Sequence, residues 1–435
     1  MRISLLTLLS LLSLHVYTQE LSPTDILKQA RQELDSLCSY TFAGRGYVHE
    51  GHLKAANYIG GRFKEIGLKP LIFEAQDAKE SWGYLQKVPI QINLITDAAL
   101  VLGEDSPLSP GTDFIAHRLS GRGKGEYKIK DMGHGLRDKK GVKGKIVLVR
   151  EGWPEKMQAD QQDKYGNRKQ MLGRIDAIRA FQPAGFIILK KKLTAAYSPE
   201  HLQVPIVELL EDRISHVPKK AFLQVDASLS TIQTQNVLGL IRGTLHPDSV
   251  LVISAHYDHL GMLGDALFPG ANDNASGIAI LLSMASYFQK HPLKYSLLFI
   301  AFGGEETGLN GSRFYVEHDP VVPLSQIKFI LNLDLMGNGD EGIMAVGGKD
   351  FLQQFELLSI LNEELKAVPK VRARVNAPNS DHFFFLLNGV PGFFIYTLGG
   401  PPHYHDVNDS PANIQFSKFV ELRALLIRFM EGLGG

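Results

Sequence analysis

From Gln235 to the C-terminus, short apolar runs alternate with helical stretches. That alternation predicts a three-layer α/β sandwich around a mainly parallel, twisted sheet. A second observation divides the chain. Between about Leu94 and Asp226 the texture changes to short strand-like runs separated by Gly/Pro turns, which reads as a β-rich domain inserted into the sandwich. The expected organisation is residues 1–19 as a signal peptide, 20–94 and 230–435 as one split α/β domain, and 95–229 as the insert.

The elements follow in order. Arg2 precedes a run from Ile3 to Leu14 that is apolar on all sides and too short to span a bilayer. Val16 and Thr18 suit a cleavage site, so export to the periplasm or medium is expected, and no Cys follows to take a lipid anchor. Ser22–Pro23 is an N-cap and first-turn pair for a helix reaching about Leu37. A second amphipathic helix carries Leu53, Ala56, Ile59, Phe63 and Ile66 and stops at Gly67 and Pro70. In the insert, Lys145–Glu151, Gly185–Lys191 and Val204–Leu209 read as strands. Beyond it, NVLGLIRGT and DSVLVISAH have the continuous apolar character of strands buried on both faces. A helix from Ala275 to Gln289, the strand YSLLFIAF, a helix from Leu309 to His318 and the strand IKFILNLDL come next. GIMAV, GVPGFFIY and a long helix near Ile414–Leu433 complete the alternation.

Composition excludes some classes of function. The 435 residues carry 46 Lys+Arg and 46 Asp+Glu, so no global charge recruits nucleic acid or an anionic membrane. No later stretch is long enough for a stable membrane span. Cys38, the only cysteine, makes neither an intramolecular disulfide nor a thiolate metal site, and its helical setting reads as a buried structural thiol.

Carboxylates and imidazoles stand at the ends of apolar runs or in Gly/Asn-rich turns. They are His256 in VISAHYDHLG, Asp273 in GANDNASG, Glu305–Glu306 in FGGEETGLNGS, Asp334 in LNLDLMG and His405 in HYHDVNDS. Neutral imidazole and carboxylate suit Zn²⁺. Two His and three acids suffice for two ions if one carboxylate bridges, which leaves a glutamate as a base for metal-assisted hydrolysis. Asp258, two residues past His256, suits the role of taking the other imidazole N–H. Asp409 repeats that arrangement beside His405, and His403 is a rival ligand. In a parallel sheet such groups gather outside the carboxyl ends of the strands.

HYDHLG, GANDNASG, GGEETGLNGS, NLDLMG, SDHFFF and HYHDVNDS, in this order, resemble the M28 family of zinc aminopeptidases. NYIGGRFKEIGLKP and NVLGLIRGT resemble that family's upstream helix and entry strand, and the insert resembles a protease-associated domain. The resemblance implies two Zn²⁺ per chain and peptide substrates. It implies that Asp273 bridges, that His256 and Asp334 hold one ion, and that Glu306 and His405 hold the other. It makes Glu305 the general base, places Asp258 behind His256, prefers His405 to His403, and sets Asp381 and His382 near the substrate. The Asp406–Ser410 ending departs from the family's Thr-rich form around His405. An exported di-zinc aminopeptidase is the expectation. The alternatives are a glutaminyl-cyclase-like mono-zinc enzyme on the same fold, separated by a metal count, and a carboxypeptidase of the family. A non-catalytic binding protein on a protease fold would have broken ligands, and none is broken. The oligomeric state stays open. The insert is expected to stand beside the active-site mouth, to restrict access to short peptides, and to leave metal binding independent of it.

Overall fold

The computed structural model describes residues 21–72, 83–135, 140–152 and 171–434. The expected signal peptide lies outside them. Helix α1 (Pro23–Leu37) is capped by Ser22, whose hydroxyl accepts from the Asp25 N–H at 3.2 Å. Helix α2 (Gly51–Ile66) ends at Gly67, whose φ of 94° places it in the left-handed region that glycine enters without strain. Next come β1 (Leu85–Leu102), β2 (Phe114–Ala116), β3 (Gly123–Asp131), β4 (Ile146–Arg150), α3 (Met171–Arg179), β5 (Gly185–Lys190), β6 (Ile206–Leu210) and β7 (Lys220–Ile241). They are followed by β8 (His246–His256), β9 (Gly261–Leu263), β10 (Ala266–Phe268), α4 (Ser276–Lys290), β11 (Tyr295–Phe302) and α5 (Asn310–Glu317). The chain closes with β12 (Ile327–Leu333), β13 (Gly342–Val346), α6 (Leu352–Leu365), β14 (Val371–Arg374), α7 (His382–Leu387), β15 (Gly392–Leu398) and α8 (Phe419–Gly434).

Strands β11, β8, β12 and β15 lie side by side and run parallel. Strand β7 flanks them antiparallel at β11, and β13 flanks them antiparallel at β15, with β14 beyond it. Their buried residues are mostly apolar, as in Leu297–Phe302 and Val250–Ile253, because helices cover both faces, and the buried Ser254 donates to Asn332 Oδ1 at 2.8 Å. One face packs on α1, α2, α4, α6 and α8, through Leu34, Phe63, Ile278, Leu358 and Phe429. The other packs on α5 and α7, through Tyr315 and Phe385. These are the three layers expected.

The insert builds a smaller sheet, β3–β4–β5–β6, parallel throughout, with β2 antiparallel at its edge. Two apolar clusters cover its two faces. The two sheets are continuous, because β7 serves both. Lys220–Val225 pairs with β3, Val237–Ile241 pairs with β11, and β1 pairs with β7 from Leu85 to Leu102. NVLGLIRGT is therefore only the last part of a 22-residue strand. The middle of β7 is half-exposed and polar, so its apolar signal appears only at its two ends. At the C-terminus the helix begins at Phe419 rather than near Ile414. A single 3₁₀ turn (Pro411–Asn413) and Phe416, with φ of 54°, precede it.

Candidate metal centre

Parallel strands end together, so the residues that follow them meet. His256 is the last residue of β8, Asp334 follows β12, and Glu305–Glu306 follow β11 after Gly303–Gly304. Asp273 lies in the turn before α4, and its peptide bond to Asn274 is cis. Asp409 fixes this turn by accepting from the N–H groups of Asn272 (2.8 Å) and Asp273 (3.0 Å). Gly270 opens the turn with φ of 58°, where any Cβ would collide with the Asp273 carbonyl and the His259 ring.

Two clusters share Asp273. In one, His256 Nε2 lies 3.3 Å from both Asp273 Oδ1 and Asp334 Oδ1. In the other, His405 Nε2 lies 3.2 Å from both Asp273 Oδ2 and Glu306 Oε2. The opposite ring nitrogens settle the tautomers. His256 Nδ1 donates to the Asp258 carbonyl at 3.1 Å, and His405 Nδ1 donates to the Ala195 carbonyl at 2.9 Å. Each Nε2 of a neutral ring is then a lone pair facing two carboxylate oxygens, which only a cation or a proton reconciles. Ligands held 2.0–2.2 Å from a tetrahedral centre stand roughly 3.3–3.6 Å apart, close to the spacings in both clusters. The donor set therefore fits two cations with one bridging carboxylate. Burial opposes a charged His405, but Glu306 and Asp273 push its pKa up to about 11. Burial likewise opposes charge on Glu306, yet His405 and His259 hold it down at about 2.

Glu305 stands beside the first cluster, its carboxylate grouped with His256 and Asp334. Burial holds its pKa well above the usual carboxylate range, opposed by His256 and reinforced by Glu306. Asp381 and His382 are fully buried at the start of α7, and burial moves Asp381 up to about 7 and His382 down to about 3. His403 stays outside the clusters, with Nδ1 3.7 Å from Asp406 Oδ2.

Asp258 differs in detail from the expectation. Its carbonyl, not its carboxylate, takes the His256 N–H. The carboxylate is 3.9 Å from Nδ1 and accepts instead from Tyr47 Oη (2.9 Å) and the Glu305 N–H (3.1 Å). It thus ties the turn that carries Glu305 to the strand that carries His256.

Sequence reasoning missed five participants. His259 is fully buried and its Nδ1 lies 2.7 Å from Glu306 Oε1. It stands in the same HYDH window, one residue past the HxD pair, so a signal existed. Ser380, in SDH, donates to Asp334 Oδ2 at 3.0 Å. Tyr47 and Arg45 lie more than 200 residues away in sequence. Arg45, fully buried, donates to the carbonyls of Leu37, Tyr257, Pro269 and Gly270, fixing the backbone around both His256 and Asp273. The fifth is Ala195, whose contribution is a backbone carbonyl and leaves no mark in a sequence.

Fold and centre together define a class: an α/β protein with a shared carboxylate–imidazole centre at the carboxyl ends of its parallel strands. Residues 236–430 match the sequence profile of Peptidase family M28, the family that the motifs resemble. Aminopeptidase YwaD from Bacillus subtilis is 32% identical over 152 residues, covering 34% of this chain and 32% of that protein. A probable leucine aminopeptidase 2 from Aspergillus oryzae is 28% identical over 184 residues, covering 40% and 36%. The matched region thus spans about a third of the length of these curated relatives. Among solved structures, a zinc aminopeptidase from Bacillus subtilis superposes with a TM-score of 0.69 at 20% identity, covering 93% of this chain and 94% of that one. A peptidase M28 precursor from Shewanella amazonensis superposes at 0.65 with 16% identity, covering 94% and 96%. These superpositions extend over the insert as well as the sandwich, and they show the fold.

Proposed function

We propose that the protein is an exported aminopeptidase that holds two Zn²⁺ per chain and releases N-terminal residues from peptides. The observation that carries this reading is the pair of three-ligand clusters sharing Asp273, with the half-buried Glu305 beside them. His256, Asp334 and Asp273 would hold one ion, and His405, Glu306 and Asp273 the other. Zinc, when bound, supplies Lewis acidity toward a carbonyl oxygen and acidifies water. Glu305 takes the proton of the attacking water on a carboxylate oxygen and returns it to the leaving amine. Burial, which raises its proton affinity, suits a group that must hold a proton between the two transfers. Asp258 positions Glu305 through its backbone N–H, and Tyr47 positions Asp258.

Two Zn²⁺ would balance the charge of Asp273, Glu305, Glu306 and Asp334, so the choice of a free N-terminus rests on an amine that can approach one ion or the carboxylates beside it. The names of the relatives, aminopeptidase among them, support the same choice. Arg2 and the apolar run Ile3–Leu14 support export. The insert is read as a protease-associated type of domain. No helix among the described residues is long and apolar enough to cross a membrane.

One experiment tests the reading. Purified protein is analysed for metal per chain and assayed on matched peptides with free or acetylated N-termini and free or amidated C-termini. Two zinc ions and cleavage that requires the free amine are expected. A single ion with cyclisation of N-terminal glutamine, or dependence on a free C-terminal carboxylate, overturns it.

A further inference from the structure

We infer that the insert is a working part of the metal centre: its loop Leu193–Ser198 is the positioning element for His405 and hence for the half-site that His405 shares with Glu306 and Asp273. This rests on the reading of His405 as a metal ligand.

The loop meets the His405 segment through a reciprocal pair, one bond between backbones and one from the His405 ring. The Ala195 N–H donates to the His405 carbonyl at 3.1 Å, and His405 Nδ1 donates to the Ala195 carbonyl at 2.9 Å. The second bond selects the tautomer that presents Nε2 to Glu306 and Asp273. His405 itself needs restraint, since its φ of 58° is left-handed and its ring is flanked by Tyr404, stacked at 3.8 Å but half-exposed, and by His259, edge-on at 5.8 Å. The segment carrying it has little secondary structure of its own.

What fixes the loop is the insert. Leu193 is buried in the insert's core with Leu148 and Leu189. At the other end the Ser198 carbonyl accepts from the Asn93 N–H on β1 at 2.7 Å. Between them Tyr197 Oη donates to the Leu260 carbonyl at 2.8 Å, just past His259, and its ring packs edge-on against Tyr47. Lys192 Nζ reaches the Pro402 carbonyl at 2.9 Å, a third tie to the His405 segment. Leu260, Leu263 and Phe268 of the α/β domain also belong to the insert's apolar cluster. On this inference metal binding depends on the insert, against the expectation from the sequence.

The test is a double-mutant cycle read on metal affinity. Ala195→Pro removes the N–H of the reciprocal pair, and Tyr197→Phe and Lys192→Ala loosen the loop while keeping its packing. Each is titrated with Zn²⁺, and with Co²⁺ for its visible spectrum, alone and combined with His405→Ala. Partners behind a ligand typically set about 10–100-fold in metal affinity. Ala195→Pro is expected to weaken one ion by that factor and leave the other unchanged, with a smaller loss in Tyr197→Phe and Lys192→Ala. In the His405→Ala background none of the three should weaken the metal further. Wild-type protein that binds no metal overturns the reading of the site itself. Wild-type protein that binds two ions, with full affinity in all three variants or with additive losses on His405→Ala, overturns the positioning role alone. If Ala195→Pro fails to fold, the other two variants decide the question.

Discussion

Glu305 and Glu306 are adjacent and chemically identical, yet their surroundings drive them apart. Glu306 faces His405 and His259 and is held at about 2, whereas Glu305 faces burial and other carboxylates and is raised. Glu305→Gln should therefore retain both metals and lose turnover by roughly 10²–10⁴-fold, checked by kcat beside elemental analysis. Near-normal kcat would assign the base elsewhere. Asp273→Ala should instead lose at least one ion, since one carboxylate serves both clusters, and full occupancy would refute the bridge. Arg45 makes a different kind of prediction. It is a fully buried cation whose hydrogen bonds go to the carbonyls of Leu37, Tyr257, Pro269, Gly270 and Asp273, in three chain segments. Arg45→Met strands those acceptors, each costing about 1–3 kcal/mol when buried and unsatisfied, so a loss of about 3 kcal/mol or more is expected in urea unfolding. A change under about 1 kcal/mol would show that the turn before α4 holds itself.

At the level of strands and loops, the insert contains a buried pair that opposes itself. His117 follows β2 and Glu208 lies on β6, with His117 Nε2 3.8 Å from Glu208 Oε1. Burial, with Arg118 and Lys190, lowers His117 to about 4. Burial raises Glu208 to about 7, against Lys190. Between about pH 4 and 6.5 the unfolded chain carries a proton on this histidine that the fold lacks, so stability rises with pH. Between about pH 4.3 and 7 the fold carries a proton on Glu208 that the unfolded chain lacks, so stability falls with pH. Each slope is at most about 1.4 kcal/mol per pH unit, and they largely cancel. Glu208→Gln removes only the falling one. The variant should gain stability relative to wild type as pH rises from 4.5 to 7, measured as urea midpoints. Parallel pH curves for the two proteins would refute it. Elements themselves were unevenly legible. Ser22, Gly67 and the apolar runs of β8, β11 and β12 announce their boundaries because each rests on local chemistry. The length of β1 and β7 was hidden, since a two-stranded ribbon with exposed polar stretches resembles loop until its partner is known.

For the molecule as a whole, bound metal and fold should be linked. The clusters join β8, β11, β12, the turn before α4 and the His405 loop, and this last segment also joins the insert. A ligand bound only by the folded state adds RT ln(1 + [L]/Kd), about 4 kcal/mol at a thousandfold excess over Kd. Chelation should therefore lower Tm and restore it on adding zinc back, and both sheets should melt in one transition. Unchanged Tm after complete metal removal would separate the centre from folding.

The sequence alone determined the sandwich and picked out the candidate site residues, because strand burial and the donor chemistry of His256, Asp273, Glu305, Glu306, Asp334 and His405 are properties of short windows. It could not determine what stands behind those ligands. The Ala195 carbonyl, the Arg45 bonds, the Tyr47 hydroxyl on Asp258 and the use of the Asp258 carbonyl by His256 all depend on which distant backbone atoms the fold brings within about 3 Å. A carbonyl is present in every residue, so only tertiary structure selects the one that orients a ligand.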